Sequence, residues 1–202
     1  MMTNRLLRIS LLLVVGLAIA SLIAYYQIRT EQGSASINKN VVAANFGGPF
    51  TLINEDGEQV TQDDFKGQYR LIYFGFTFCP AICPTELQKI TAALNELGPA
   101  GEKIKPIFIT VDPERDTVET MKQYIGSFHP NFTGLSGSMA QIDQAKKSYK
   151  IYAAKVQDET MSDYTMDHSS YIYFLDPDDN LVRIFKIDDT AQDMVQVIKQ
   201  YL

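Results

Sequence analysis

The chain has 202 residues, with 18 basic and 24 acidic side chains and a net charge of −6. Taking Arg5, Arg8 and Arg29 out of the 18 basic residues leaves 15 against 24 acidic, a balance of −9 for the portion that follows Arg29. A surface of that sign repels nucleic acid and anionic lipid, so nucleic-acid binding is excluded as the expected role.

Residues 9–26 are almost wholly apolar and carry no charge. Eighteen residues at the helical rise give roughly 27 Å, enough for the hydrocarbon core of a bilayer. Arg5 and Arg8 precede the run, while Arg29 and Glu31 nearly cancel after it. The expectation is a cytoplasmic stretch at 1–8 and a single transmembrane anchor at 9–26 that exports the remainder. Ala18-Ile19-Ala20 also resembles a cleavage site, and a removed signal peptide would export the remainder equally well. No organelle transit peptide fits ahead of the run, so the expected location is a bacterial inner membrane, single-pass, with the domain facing the periplasm or exterior. Residues 27–45 are small and polar and read as a linker. Residues 46–202 suit one domain with its own core.

Within that domain, Phe50-Thr51-Leu52-Ile53 and Gln59-Val60 flank Glu55-Asp56-Gly57, a hairpin signal. The apolar run Leu71 to Phe76 reads as a buried strand. A helix follows Cys83, with Leu87, Ile90, Leu94 and Leu97 on one face and Gly98 as its stop. Pro84 suits the first helical position. Ile107 to Val111 is a second buried strand. Asp116 and Glu119 are placed to cap a helix running toward Phe128. Ser138 and Gln141 form a capping box for another helix reaching about Tyr149. Tyr171 to Leu175 is a third buried strand, Asp176 to Asn180 a turn, and Leu181 to Ile187 its partner. The last helix begins after Thr190, with Met194, Val197, Ile198 and Tyr201 on one face. Buried strands separated by helices predict an α/β domain in three layers. A cysteine pair at the first strand-to-helix turn, with a late hairpin and closing helix, gives the thioredoxin-like order.

The only two cysteines stand in Cys79-Pro80-Ala81-Ile82-Cys83, at that turn. Cys83 precedes Pro84 and so reads as the helix N-cap, where orphan N–H groups and the helix dipole favour a thiolate. Two sulfurs one helical turn apart either grip a soft metal ion or cycle between dithiol and disulfide. A plain structural disulfide is the third option in an exported protein, though so small a loop gains little from a bridge. The chain has two histidines. His129 reads as an ordinary loop histidine after a helix. His168 precedes the strand Tyr171 to Leu175, where a thioredoxin carries a cis-proline beside its cysteines, and this chain has no proline between Pro130 and Pro177. Two thiolates and an imidazole suit copper in either oxidation state. Zinc would want a fourth ligand.

Three blocks carry a family resemblance: Tyr73-Phe74-Gly75-Phe76-Thr77-Phe78-Cys79-Pro80-Ala81-Ile82-Cys83-Pro84, then Thr110-Val111-Asp112-Pro113-Glu114-Arg115-Asp116-Thr117, then Asp167-His168-Ser169-Ser170. In this order they resemble the SCO/SenC proteins, copper chaperones for cytochrome c oxidase assembly. The resemblance implies a thioredoxin-like fold and one copper ion (Cu+ or Cu2+) held by Cys79, Cys83 and His168. It implies cytochrome c oxidase subunit II as recipient, through its CuA centre, and a copper donor protein upstream. It equally admits reduction of the subunit's cysteines, with Cys79 and Cys83 as a catalytic redox pair. Asp112 and Arg115 read either as supports of the site or partner, or as residues that only hold their own loop. Asp167 is a candidate to orient His168 through its distal N–H. Met161 and Met166 read as core or loop residues.

The leading expectation is therefore a metallochaperone without turnover, and the alternative is a thiol–disulfide oxidoreductase. Against the alternative stand the five-residue cysteine motif, the lack of tryptophan before Cys79 and the missing proline. A peroxiredoxin-type site would need its threonine three residues before the cysteine, and Thr77 stands two before Cys79.

Overall fold

The computed structural model describes residues 16–22, 46–157 and 163–202. The chain divides into two units, Met1–Val41 and Val42–Leu202. In the first, residues 16–22 are helical. Among the described residues no helix is long and apolar enough to cross a membrane. The seven described helical residues rise roughly 10 Å, against about 30 Å of hydrocarbon. The expected single-pass anchor over 9–26 is corrected on this ground, and the inner-membrane location drawn from it falls as well. An uncharged apolar run is a statement about transfer energy, and a span needs one continuous helix besides. The other residues of that run, and the linker at 27–45, lie outside the described residues.

The second unit is built on a seven-stranded mixed sheet in the order β2-β1-β5-β4-β3-β8-β9. β1 (Thr51–Asn54) and β2 (Gln59–Thr61) form the predicted hairpin, with Gly57 at φ +83° in its turn. At the centre lie β3 (Tyr69–Gly75) and β4 (Ile104–Thr110), parallel and seven residues each. Both are buried almost throughout, which is why their sequences show no alternation. α1 (Ile82–Leu97) joins them and buries Cys83, Leu87, Ile90, Leu94 and Leu97 on one stripe. Gly98, at φ +57°, ends it. α2 (Val118–Ile125) is capped by the Thr117 side chain. It leads to β5 (Thr133–Ser136), parallel to β4 and antiparallel to β1. α3 (Met139–Ser148) opens with the predicted Ser138–Gln141 capping box. β6 (Ala153–Val156) and β7 (Thr165–His168) form a separate two-stranded sheet. β8 (Ile172–Leu175) and β9 (Leu181–Phe185) return antiparallel beside β3. α4 (Ala191–Ile198) closes the chain and packs against α1. This is the thioredoxin-like α/β arrangement that the element order predicts.

Three strands have no counterpart in the sequence reading. β5 is short and contains Gly134, a residue with low strand preference. A Cβ at Gly134 would lie 3.1 Å from Met121 Cε and from Ile125 Cγ2, so the glycine lets α2 press onto the strand. β6 and β7 are short and half-exposed and carry little periodic signal.

Asp116 does not cap α2, as the sequence suggests; Thr117 does. The Asp116 carboxylate is fully buried. It accepts from the Thr77 backbone N–H at 3.1 Å, the Thr77 hydroxyl at 2.6 Å and the Thr110 hydroxyl at 2.6 Å. Its backbone carbonyl accepts from the Ser136 hydroxyl at 2.6 Å. The loop leaving β3 is thereby fixed to the ends of β4 and β5. Asp116→Ala should strand these donors and lower unfolding stability by about 2–4 kcal/mol. Asp116→Asn, which keeps an acceptor, should cost less; equal urea midpoints for Asp116→Ala and wild type would contradict the assignment.

Candidate metal and thiol site

α1 begins two residues earlier than the sequence suggests, and this exchanges the roles of the two cysteines. Ala81 is the N-cap, Cys83 is the second helical residue and Pro84 the third. Pro84 remains harmless, because the first-turn N–H groups have no intrahelical partner. Cys83 is completely buried, while Cys79 lies ahead of the helix and is partly exposed; both are free thiols. The Cys83 N–H donates to Cys79 Sγ at 3.3 Å. The hydrogen bond from the Cys83 thiol lowers the Cys79 pKa most, and the backbone N–H groups at the helix head add to it. Together they bring Cys79 to about 5 from an ordinary 9.0. Cys83 is pushed upward, first by that same bond to Cys79 and then by burial. At neutral pH the pair is one thiolate, at Cys79, and one thiol.

The Cys83 sulfur occupies a tight space. The Tyr73 hydroxyl lies 3.7 Å from it. A Cβ at Gly75 would stand 2.9 Å from Cys83 Sγ and equally close to the rings of Tyr73 and Phe108. Gly75 is thus the residue that admits the sulfur under the sheet. An isolated glycine within an apolar strand signals such an approach; nothing in the sequence singles out Tyr73.

His168 stands at the end of β7, with Nε2 3.6 Å from Cys83 Sγ. Its Nδ1 lies 3.1 Å from the Ser169 carbonyl, which only accepts, so Nδ1 carries the proton and Nε2 presents its lone pair to the sulfur. Burial lowers the His168 pKa and favours the neutral ring. The imidazole packs edge-on against Phe76 and Tyr73, with centroids at 5.7 and 6.2 Å. The orienting acceptor is therefore the Ser169 carbonyl. Asp167, expected in that role, is exposed on the strand's other side.

The structure brings Cys79, Cys83 and His168 together through Cys79–Cys83 and Cys83–His168 contacts. Among the described residues no group of three or more His, Cys, Asp and Glu side chains forms a ready-made metal cage. The donor set itself, two soft sulfurs and one unprotonated imidazole nitrogen, fits a soft or borderline cation. His129 is elsewhere: its Nδ1 accepts from the Asn131 N–H at 3.2 Å and shapes a turn. Met166 is buried in the core, and Met161 lies outside the described residues. Asp112 and Arg115 form an ion pair at the end of β4, and Tyr164, unmarked by any sequence signal, donates its hydroxyl to Asp112 at 2.8 Å.

Cys79 should react first with iodoacetamide, and the rate should rise with a midpoint near pH 5, because the thiolate is the nucleophile. Cys83→Ser, which changes the donor to Cys79, should move that midpoint upward. Faster labelling of Cys83, or a midpoint near 9, would contradict the asymmetry.

Comparison with known proteins identifies the family and the fold. The SCO1/SenC family model matches residues 38–202. Protein SCO1 homolog 1, mitochondrial, of Arabidopsis thaliana is 39% identical over 196 residues, covering 90% of this chain. The chain spans 58% of that relative's length. The copper-bound ScoI of Bradyrhizobium japonicum is 44% identical, with a TM-score of 0.72 over 78% of this chain and 99% of that one. BsSco, a member of the Sco family of cytochrome c oxidase assembly proteins in which a disulfide switch has been identified, is 28% identical, with a TM-score of 0.61 over 78% of this chain and 94% of its own. With a family match over most of its length, the chain belongs to the SCO1/SenC family.

Proposed function

We propose that this protein binds one copper ion through Cys79, Cys83 and His168 and acts as a copper chaperone in cytochrome c oxidase assembly, delivering the ion to the CuA centre of subunit II. The observation that carries the reading is the convergence of a thiolate, a buried thiol and a neutral imidazole at the head of α1. Copper is the cargo here. When Cu+ replaces the Cys83 proton, one positive charge takes the place of another and the net charge of the buried site is unchanged. A doubly charged ion would instead cancel the charge of the Cys79 thiolate; it is the softness of the two sulfur donors that favours Cu+. The copper-bound state of the Bradyrhizobium japonicum relative supports the same choice of metal.

The asymmetry of the sulfurs favours a second reading, reduction of the recipient's disulfide. The Cys79 thiolate would attack one recipient sulfur and form a mixed disulfide. Cys83 would then displace it, releasing a dithiol and leaving Cys79–Cys83 oxidised, with two electrons transferred. An exposed nucleophile of low pKa beside a buried thiol suits that sequence. The disulfide switch of BsSco supports it. The same dithiol serves both readings, and oxidation removes both metal-binding sulfurs.

The expected result is one Cu+ per wild-type chain in competition with a Cu+ chelator. His168→Ala should weaken binding by about tenfold or more, and His129→Ala should leave it unchanged. Equal affinity for wild type and His168→Ala would overturn the ligand set. The sign of the pH dependence follows from the thiols. Binding releases the Cys83 proton, so affinity should fall about tenfold for each pH unit lost between pH 8 and 6. Below about pH 5 Cys79 also protonates, and the dependence should steepen. A flat profile would contradict the thiol assignment.

A further inference from the structure

The donors come from two pieces of structure that share no backbone ladder. Cys79 and Cys83 sit at the end of the large sheet, whereas His168 belongs to the separate β6–β7 pair. An isolated two-stranded pair is marginal on its own. β8 begins soon after His168 and limits its distance along the sheet, but it does not fix the tilt of the hairpin toward the cysteines. Side-chain contacts must do so.

Arg115 is one side chain that reaches both pieces. The Arg115 guanidinium carbon lies 3.7 Å from the centre of the Tyr164 ring and 4.7 Å from that of Phe78. Tyr164 directly precedes β7, and Phe78 directly precedes Cys79. Arg115 Nη1 donates to the Tyr164 carbonyl at 2.9 Å. Its Nε donates to Asp112, whose other oxygen accepts from the Tyr164 hydroxyl at 2.8 Å. The Arg115 side chain is only 12% exposed. Nη2 is buried and, among the described residues, has no hydrogen-bond partner, so part of the guanidinium is desolvated without return from them. Stability alone is a weak reason to keep such a group; a planar cation between two rings and a carbonyl is a strong device for setting their geometry. A further ion pair to the hairpin, Lys155 to Glu114, lies in solvent on both sides and contributes little.

We propose that Arg115 is a positioning residue: by stacking on Tyr164 and Phe78 while anchored to Asp112, it holds the His168 strand against the cysteine loop. The contact with copper is made by His168; Arg115 acts through it. This deepens the copper reading and rests on it for one arm of the test.

The first arm needs no metal. Amide hydrogen exchange of the metal-free full chain should be at least about tenfold faster at Ala153–Val156 and Thr165–His168 in Arg115→Ala, with β3 and β4 unchanged. Arg115→Lys keeps the charge but loses the plane, and should behave like Arg115→Ala. It decides the question if the alanine variant does not fold. Tyr164→Phe keeps the stack and should stay close to wild type. The second arm is a double-mutant cycle read by Cu+ competition. Arg115→Ala should weaken binding about tenfold in the wild-type background and not further beside His168→Ala. Unchanged hairpin exchange, or equal weakening in both backgrounds, would overturn the proposal. If wild type binds no copper, the copper reading fails while the exchange arm still decides the role of Arg115.

Discussion

The end of β3 and the end of β4 are held together by a carboxylate that no cation neutralises among the described residues. Asp116 accepts three hydrogen bonds, from Thr77 and Thr110, inside the protein. Burial raises its pKa, and the hydroxyl and amide donors pull it back. Such a group is costly unless every donor is in place. The constraint therefore works in one direction: the loop from Thr77 to Cys79 must lie where the donors reach Asp116. With that loop fixed, Cys79 Sγ sits over the first N–H groups of α1, and Cys83 turns inward beneath Gly75.

From this position follows the division of labour between the sulfurs. One is exposed, carries the negative charge and meets a partner first. The other is buried, keeps its proton and faces an imidazole lone pair. That arrangement is equally ready to exchange the proton for a monovalent soft cation or to resolve a mixed disulfide. The two chemistries compete for the same electrons, so metal transfer and thiol reduction are alternatives for any one molecule at any one time. His168 separates them, since a nitrogen donor contributes to metal capture and is not needed for disulfide exchange.

Much of this was legible in the sequence, and the failures are instructive. The continuous apolar runs at Leu71 to Phe76 and Ile107 to Val111 mark central strands because those strands are buried on both faces. Gly98, Ser138 and Thr190 marked helix ends by local chemistry alone. Cys79, Cys83 and His168, which the sequence singles out, lie together at one corner of the fold. The assignment of thiolate to Cys83 is off by two residues of helix, since Pro84 fits the third helical position as well as the first. Asp116 looked like a cap because acidic residues favour helix starts, and only tertiary structure shows it buried. Tyr164 and Ser169 act through a hairpin whose pairing is set by distant residues. The apolar run at 9–26 showed hydropathy without a continuous spanning helix among its described residues.

X-ray absorption at the copper edge of the Cu+-loaded full chain tests the central claim most directly. The account predicts two sulfur scatterers and one nitrogen scatterer per copper in wild type, with the nitrogen lost in His168→Ala and one sulfur lost in Cys79→Ser. A wild-type copper shell with no sulfur, or one unchanged by removal of His168, would contradict it.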